Sequence, residues 1–95
     1  MNKKDPKKEK EKALLKSKIS YNIKKYRKNV GYTQEELSEL ADISHDFMRR
    51  IESSDGKNSL SIFTLYKIAL ALNVSLDELV ELKIKKENKD VVHEM

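Results

Sequence analysis

The sequence predicts an all-helical (all-α) fold of five helices. Three observations carry that prediction. Helix start signals recur along the chain: Asp5-Pro6, Thr33 with Glu36, Ser44, and Ser75 with Glu78. Apolar residues between 19 and 80 return at three- and four-residue spacing, the period that lines one face of a helix. Turn residues, at Asp42 and Asp55-Gly56, separate the later periodic stretches.

The first helix includes residues 19–30, with Ile19, Ile23, Tyr26 and Val30 as its inward stripe. Asp5 is a cap, and Pro6 suits the first helical position, where a missing amide costs nothing. The basic segment 1–17 is therefore an arm that can extend this helix back to Pro6. From Pro6 to residue 17, Leu14 and Leu15 are the only large apolar residues. Thr33 and Glu36 form a capping box, with Tyr32 and Leu37 as the staple over it. The second helix follows over 34–41, with Leu37, Leu40 and Ala41 recurring and Glu35 and Glu39 on the wet face. It stops near Asp42, a residue that tolerates a left-handed backbone. Ser44 caps a third helix over 45–53, with Ile43 and Met48 as its staple. Residues 53–59, SSDGKNS, are a loop with Asp55-Gly56 turn chemistry. A fourth helix spans 61–72. Ser75 and Glu78 form a second capping box, stapled by Val74 and Leu79, and open a short fifth helix. The folded domain is thus expected over 18–82, with 83–95 as a charged tail.

Wound at about 100° per residue, the third helix has two sides. Phe47, Met48 and Ile51 fall on one, with Glu52 at its margin. His45, Asp46, Arg49, Arg50 and Ser53 fall on the other. The apolar side must pack on the domain. The polar side carries two arginines, and arginine is the side chain that forks onto guanine O6 and N7. Two short helices, a tight turn and a polar second helix form a helix-turn-helix, which seats that second helix in the DNA major groove.

Ile23, Arg27 and Gly31 lead in to TQEEL at 33–37. Then come Ala41, ISHDFMRRIE at 43–52 and LSIFTLYKIALALNVSLDEL at 60–79. In this ordered set, residues 19–82 resemble the Cro/CI-type helix-turn-helix family, the lambda-repressor-like (XRE-like) DNA-binding domain. The likeness covers roughly two-thirds of the chain. No single motif is specific; the set at fitting spacing is. It implies a five-helix domain in which Arg27 and Glu52 form a structural ion pair linking the first helix to the recognition helix. It implies base contacts from His45, Asp46, Arg49 and Arg50. It implies phosphate contacts from Gln34, Ser44, Lys57 and Asn58, although Ser44 is first of all a cap. Asp46 faces a negatively charged partner. It either accepts from a cytosine amino group, holds Arg49 and Arg50 three and four residues on, or weakens nonspecific binding; the second role is preferred. Phe47 is expected to pack partly inward. The chain departs from the family at Asp42 in place of the usual turn glycine, at Ser38 in place of alanine, and at Ser54 with Asp55-Gly56 after the recognition helix, which lengthens the loop.

Charge is distributed unevenly. Residues 1–30 carry twelve basic and three acidic side chains, residues 31–80 four and nine, residues 81–95 four of each. A basic arm on a mildly acidic body fits a phosphate-binding extension, or else a solvated tail. With no cysteine there is no disulfide framework and no thiolate metal site. No apolar run approaches the roughly 18 residues of a membrane span. His45 and His93 are far apart, and glycine-rich phosphate loops and metal-spaced clusters are missing, so an enzyme is not expected.

These features together predict a cytoplasmic, sequence-specific regulator of double-stranded DNA, a repressor or autoregulator without cofactor, metal or small-molecule ligand. Phage, mobile-element and restriction-controller contexts all fit. Val80, Leu82 and Ile84 exceed what a small core needs and are expected to form a two-fold homodimer interface on an inverted-repeat operator. The rival is an antitoxin-like or adaptor module that binds protein, with DNA binding secondary.

Overall fold

The computed structural model describes residues 5–53 and 60–81. Five helices run in order: α1 (Pro6–Val30), α2 (Gln34–Leu40), α3 (His45–Glu52), α4 (Ile62–Leu72) and α5 (Leu76–Val80). No strand occurs among the described residues.

Each helix begins where its cap is. The Asp5 carboxylate accepts from the Lys7 amide at 3.0 Å, and Pro6 follows it as the first residue of α1, which takes in residues 6–17 of the basic segment. It ends at Gly31, whose left-handed φ of 85° turns the chain and lets its amide reach the Arg27 and Lys28 carbonyls. The Thr33 box is closed from both sides, at 3.0 Å to the Glu36 amide and 2.8 Å from the Thr33 amide to the Glu36 carboxylate. The Ser44, Ser61 and Ser75 hydroxyls cap α3, α4 and α5, each accepting from the amide three residues on, and at Ser75 the Glu78 carboxylate closes the box from the other side. Between α2 and α3 the chain reverses through Asp42 at φ 59°. The Ile43 amide donates back to the Ser38 carbonyl, and Lys67 of α4 donates to the Asp42 carbonyl at 3.2 Å.

All five helices feed one core. Ile23, Leu37, Met48, Ile51, Ile68 and Leu79 are its fully buried large side chains. Each contributes about 1.5–3 kcal/mol by leaving water. Two polar residues of α1 tie distant segments to it. The Ser20 hydroxyl donates to the Ile51 carbonyl at the end of α3. The Asn22 amide donates to the Leu79 carbonyl at 2.8 Å and the Glu81 carbonyl at 3.1 Å, pinning α5 to α1. Tyr26 packs partly buried beside them; burial, then the nearby Glu78 and Glu81 carboxylates, raise its phenol pKa above the usual tyrosine value.

Two expected core positions are corrected. Val30 has the right angular position on α1 but is 50% exposed, because the last turn of α1 outruns the helices packed on it. Leu40 is 56% exposed. The buried arc of α2 runs through Leu37, Ser38 and Ala41 instead, and Leu40 falls outside it. Ser38 enters the core at no cost to its hydroxyl, which donates to the Glu35 carbonyl one turn back.

Candidate nucleic-acid interface

Helix α3 is a short helix held by one face. Met48, Ile51 and Glu52 are buried, and Phe47 packs partly against the core. His45, Asp46, Arg49 and Arg50 all lie exposed on the other face, as their spacing requires. The structure therefore brings together the four residues expected to meet bases.

Asp46 organises that face. Its carboxylate accepts from Arg49 Nη2 at 2.6 Å and lies 3.3 Å from Arg50 Nε. The Arg50 guanidinium also sits over the Phe47 ring, 5.6 Å from the centroid. Arg50 is thus placed between a carboxylate and an aromatic face. Contact through Nε turns the outer edge of a guanidinium, the edge that forks onto guanine, away from its anchor. The Asp46 carboxyl is held below the usual carboxylate range, first by the hydrogen bond from Arg49 and then by the Arg50 charge. The role preferred from sequence, an acid that orients two arginines, matches these contacts.

Behind this face lies a buried polar network. Arg27 Nε donates to Glu52 Oε2 at 2.7 Å and Arg27 Nη2 to Glu52 Oε1 at 3.0 Å. Arg27 Nη1 reaches the Tyr32 carbonyl at 2.7 Å, satisfying the entry to α2. Gln34 Nε2 donates to Glu52 Oε1 at 3.0 Å. One carboxylate at the end of α3 therefore gathers α1 and the first residue of α2. Among the described residues no buried side-chain polar atom lacks a partner. Sequence assigns Gln34 only a phosphate contact; its bond to Glu52 needs the tertiary fold to be visible. Ser44 stands at the start of α3 as its cap. Lys57, Asn58, Leu82 and Ile84 lie outside the described residues.

A helix-turn-helix family model matches residues 23–79, the stretch that builds this geometry. The chain belongs to the helix-turn-helix family. It is a DNA-binding transcription regulator of Cro/CI type, not an enzyme. No curated protein matches it by sequence. Among solved structures, this helix-turn-helix chain is similar to the restriction-modification controller protein C.AhdI from Aeromonas hydrophila. The two share 26% identity over 70% of this chain and 94% of that one, with a TM-score of 0.61. A structure of a SinR protein/SinI protein complex matches at 32% identity, over 80% of this chain and 76% of that one, TM-score 0.63. A hypothetical transcription factor, NHTF, from Neisseria shares the fold at 22% identity, over 82% of this chain and 84% of that one, TM-score 0.66.

One surface of this helix-turn-helix domain escapes the reading from sequence. On α4, Ile62, Phe63, Tyr66 and Leu70 are 70%, 62%, 46% and 61% exposed. They share one side of the helix, and the Phe63 and Tyr66 rings stack at 6.5 Å. A signal for it exists: α4 is apolar nearly all round, more than a half-buried helix requires. No described helix is long and apolar enough to cross a membrane.

Proposed function

We propose that α3 enters the major groove of double-stranded DNA and reads bases through Arg50, with Arg49, His45 and Asp46 beside it. The observation that carries this is the Asp46–Arg50–Phe47 arrangement. It fixes a guanidinium on the exposed face of a helix whose other face is buried. A fixed arginine has less conformational freedom to lose on binding. Phosphate contacts are assigned to Gln34, Ser44, Lys57 and Asn58, which keep the register on the duplex. One Gln34 Nε2 proton goes to Glu52, and the other is left for a phosphate oxygen. The arm, residues 1–17, adds sequence-independent attraction along the backbone.

The protein is then a cytoplasmic, sequence-specific repressor or autoregulator. C.AhdI, to which it is similar, is a restriction-modification controller protein, in keeping with that role. One recognition helix covers only a few base pairs, so the protein acts as a two-fold homodimer on an inverted repeat with half-sites about 34 Å apart. Val80, Leu82 and Ile84 are assigned to that contact, and the exposed apolar side of α4 supplies further surface. Selection of bound sites from a random DNA pool tests this. A recurrent inverted-repeat sequence is expected; a pool without enrichment contradicts it.

A second reading is a protein-binding module. It is favoured by the α4 side chains Ile62, Phe63, Tyr66 and Leu70, and by the similar SinR having been solved in complex with the SinI protein. It predicts that duplex DNA binds weakly at every salt concentration.

A further inference from the structure

Helix α1 presents a second basic surface, which the reading of α3 does not use. Counted at about 100° per residue, Lys18, Lys24, Lys25 and Lys28 all fall within about 60° of Tyr21. Ile19, Ile23 and Tyr26 fall on the opposite side of the helix, toward the core. Tyr21 is 57% exposed, and Lys24, Lys25 and Lys28 are exposed around it. Lys18 Nζ lies over the Tyr21 ring, 5.4 Å from its centroid. Tyr21, Lys24, Lys25, Lys28 and Asn29 together line a shallow recess. Among the described residues no carboxylate pairs with Lys24, Lys25 or Lys28. On the flank, Lys25 Nζ lies over the Tyr26 ring, 5.2 Å from its centroid, and the Glu78 and Glu81 carboxylates act on the same tyrosine.

The stripe and the arginines of α3 look out from different sides of the domain. Ser20 and Arg27 are the α1 residues that hold α3, through the Ile51 carbonyl and Glu52. Both lie about 100–120° around the helix from Tyr21. Helix α3 in turn directs Ile51 and Glu52 toward α1, and Arg49 and Arg50 outward. A duplex seated on α3 lies beyond α3 as seen from α1, so the stripe is not turned toward it.

We propose that the outer face of α1 binds the sugar-phosphate backbone of a second DNA duplex, so that one protein molecule holds two DNA segments. The charge runs in a line about 15 Å long at 1.5 Å per residue, which suits a rod-like polyanion better than a point anion. Duplex DNA offers one negative charge per about 1.7 Å of its axis. A membrane surface fits less well. A helix that lies on lipid buries an apolar face, whereas this face carries four lysines around Tyr21, with Tyr26 beside Lys25 on its flank. The face carries no fork of arginines to read bases, so binding there is independent of sequence.

The test uses the full chain and two duplexes: a selected site fixed to beads, and a labelled duplex of random sequence in solution. Bead-bound wild-type protein is expected to capture the second duplex, with capture falling as salt rises. Combining Lys24→Glu, Lys25→Glu and Lys28→Glu should abolish capture while leaving affinity for the fixed site unchanged. The milder set Lys24→Gln, Lys25→Gln and Lys28→Gln should weaken it, lowering the salt slope by about 0.9 for each phosphate no longer neutralised. Capture by both variants at the wild-type level would overturn the proposal, as would wild-type protein that captures nothing. Loss of fixed-site binding in the glutamine set would overturn it too, since the stripe would then serve the first duplex. Lysine-dependent binding to phosphatidylserine vesicles without capture of DNA would make the partner a membrane instead. The α3 reading fails separately, if Arg49→Ala with Arg50→Ala leaves fixed-site binding intact.

Discussion

Arg27 of α1 and Glu52 of α3 meet edge to edge, with Nε and Nη2 on the two carboxylate oxygens at 2.7 and 3.0 Å. Their side chains are only 9% and 1% exposed. The pair fixes the angle at which α3 leaves the domain, because Glu52 is also the acceptor for Gln34 of α2.

Removing one partner leaves a buried charge without its counter-ion. Arg27→Leu should destabilise the fold by about 3–5 kcal/mol, measured by urea unfolding. Adding Glu52→Leu should recover part of that loss, since an apolar pair replaces the stranded carboxylate. Recovery of stability need not restore DNA binding, because α3 loses its anchor to α2.

Asp46 restrains its two arginines, so Asp46→Asn should release them. Affinity for random duplex should rise and the ratio of selected to random affinity should fall, read by competition binding. The Asp46 carboxyl is lowered by its partners. A carboxyl lowered in the folded state keeps its contribution above its unfolded value and loses it only as pH falls through the folded one. The arginine clamp should therefore persist down through the ordinary aspartate value of about 3.9, and Asp46 should add no pH dependence to binding above that.

The basic arm should act through phosphates alone. Deleting residues 1–14 should weaken selected and random sites alike. The slope of log affinity against log salt should become shallower by about 0.9 for each phosphate the arm neutralises. An unchanged slope would reduce the arm to a solvated tail.

Self-association should depend on apolar surface that the monomer leaves uncovered. Sedimentation at micromolar concentration should show a dimer, and Leu70→Glu, on the exposed side of α4, should shift it toward monomer. A monomer in the wild type, with one copy per selected site, would favour the protein-binding reading.

The helix starts and the polar face of α3 are legible in the sequence because both are local. A cap acts three residues away, and a helical period repeats every turn. What covers a given turn is not local. Val30 and Leu40 have apolar chemistry without a neighbouring helix to bury them. Ser20 and Asn22 look like surface residues in sequence, yet they satisfy carbonyls of segments 31 and 57 positions away. The Arg27–Glu52 pair is expected from family likeness, since spacing alone does not join residues 25 positions apart.

The central claim is that Arg50 reads a base. The most direct measurement is the affinity of wild type and Arg50→Ala for the selected site and for random duplex, at one salt concentration. A loss of about 1–3 kcal/mol on the selected site, little loss on random DNA and relaxed preference at one base pair are expected. Equal weakening on both duplexes would contradict the claim and leave Arg50 as a phosphate contact.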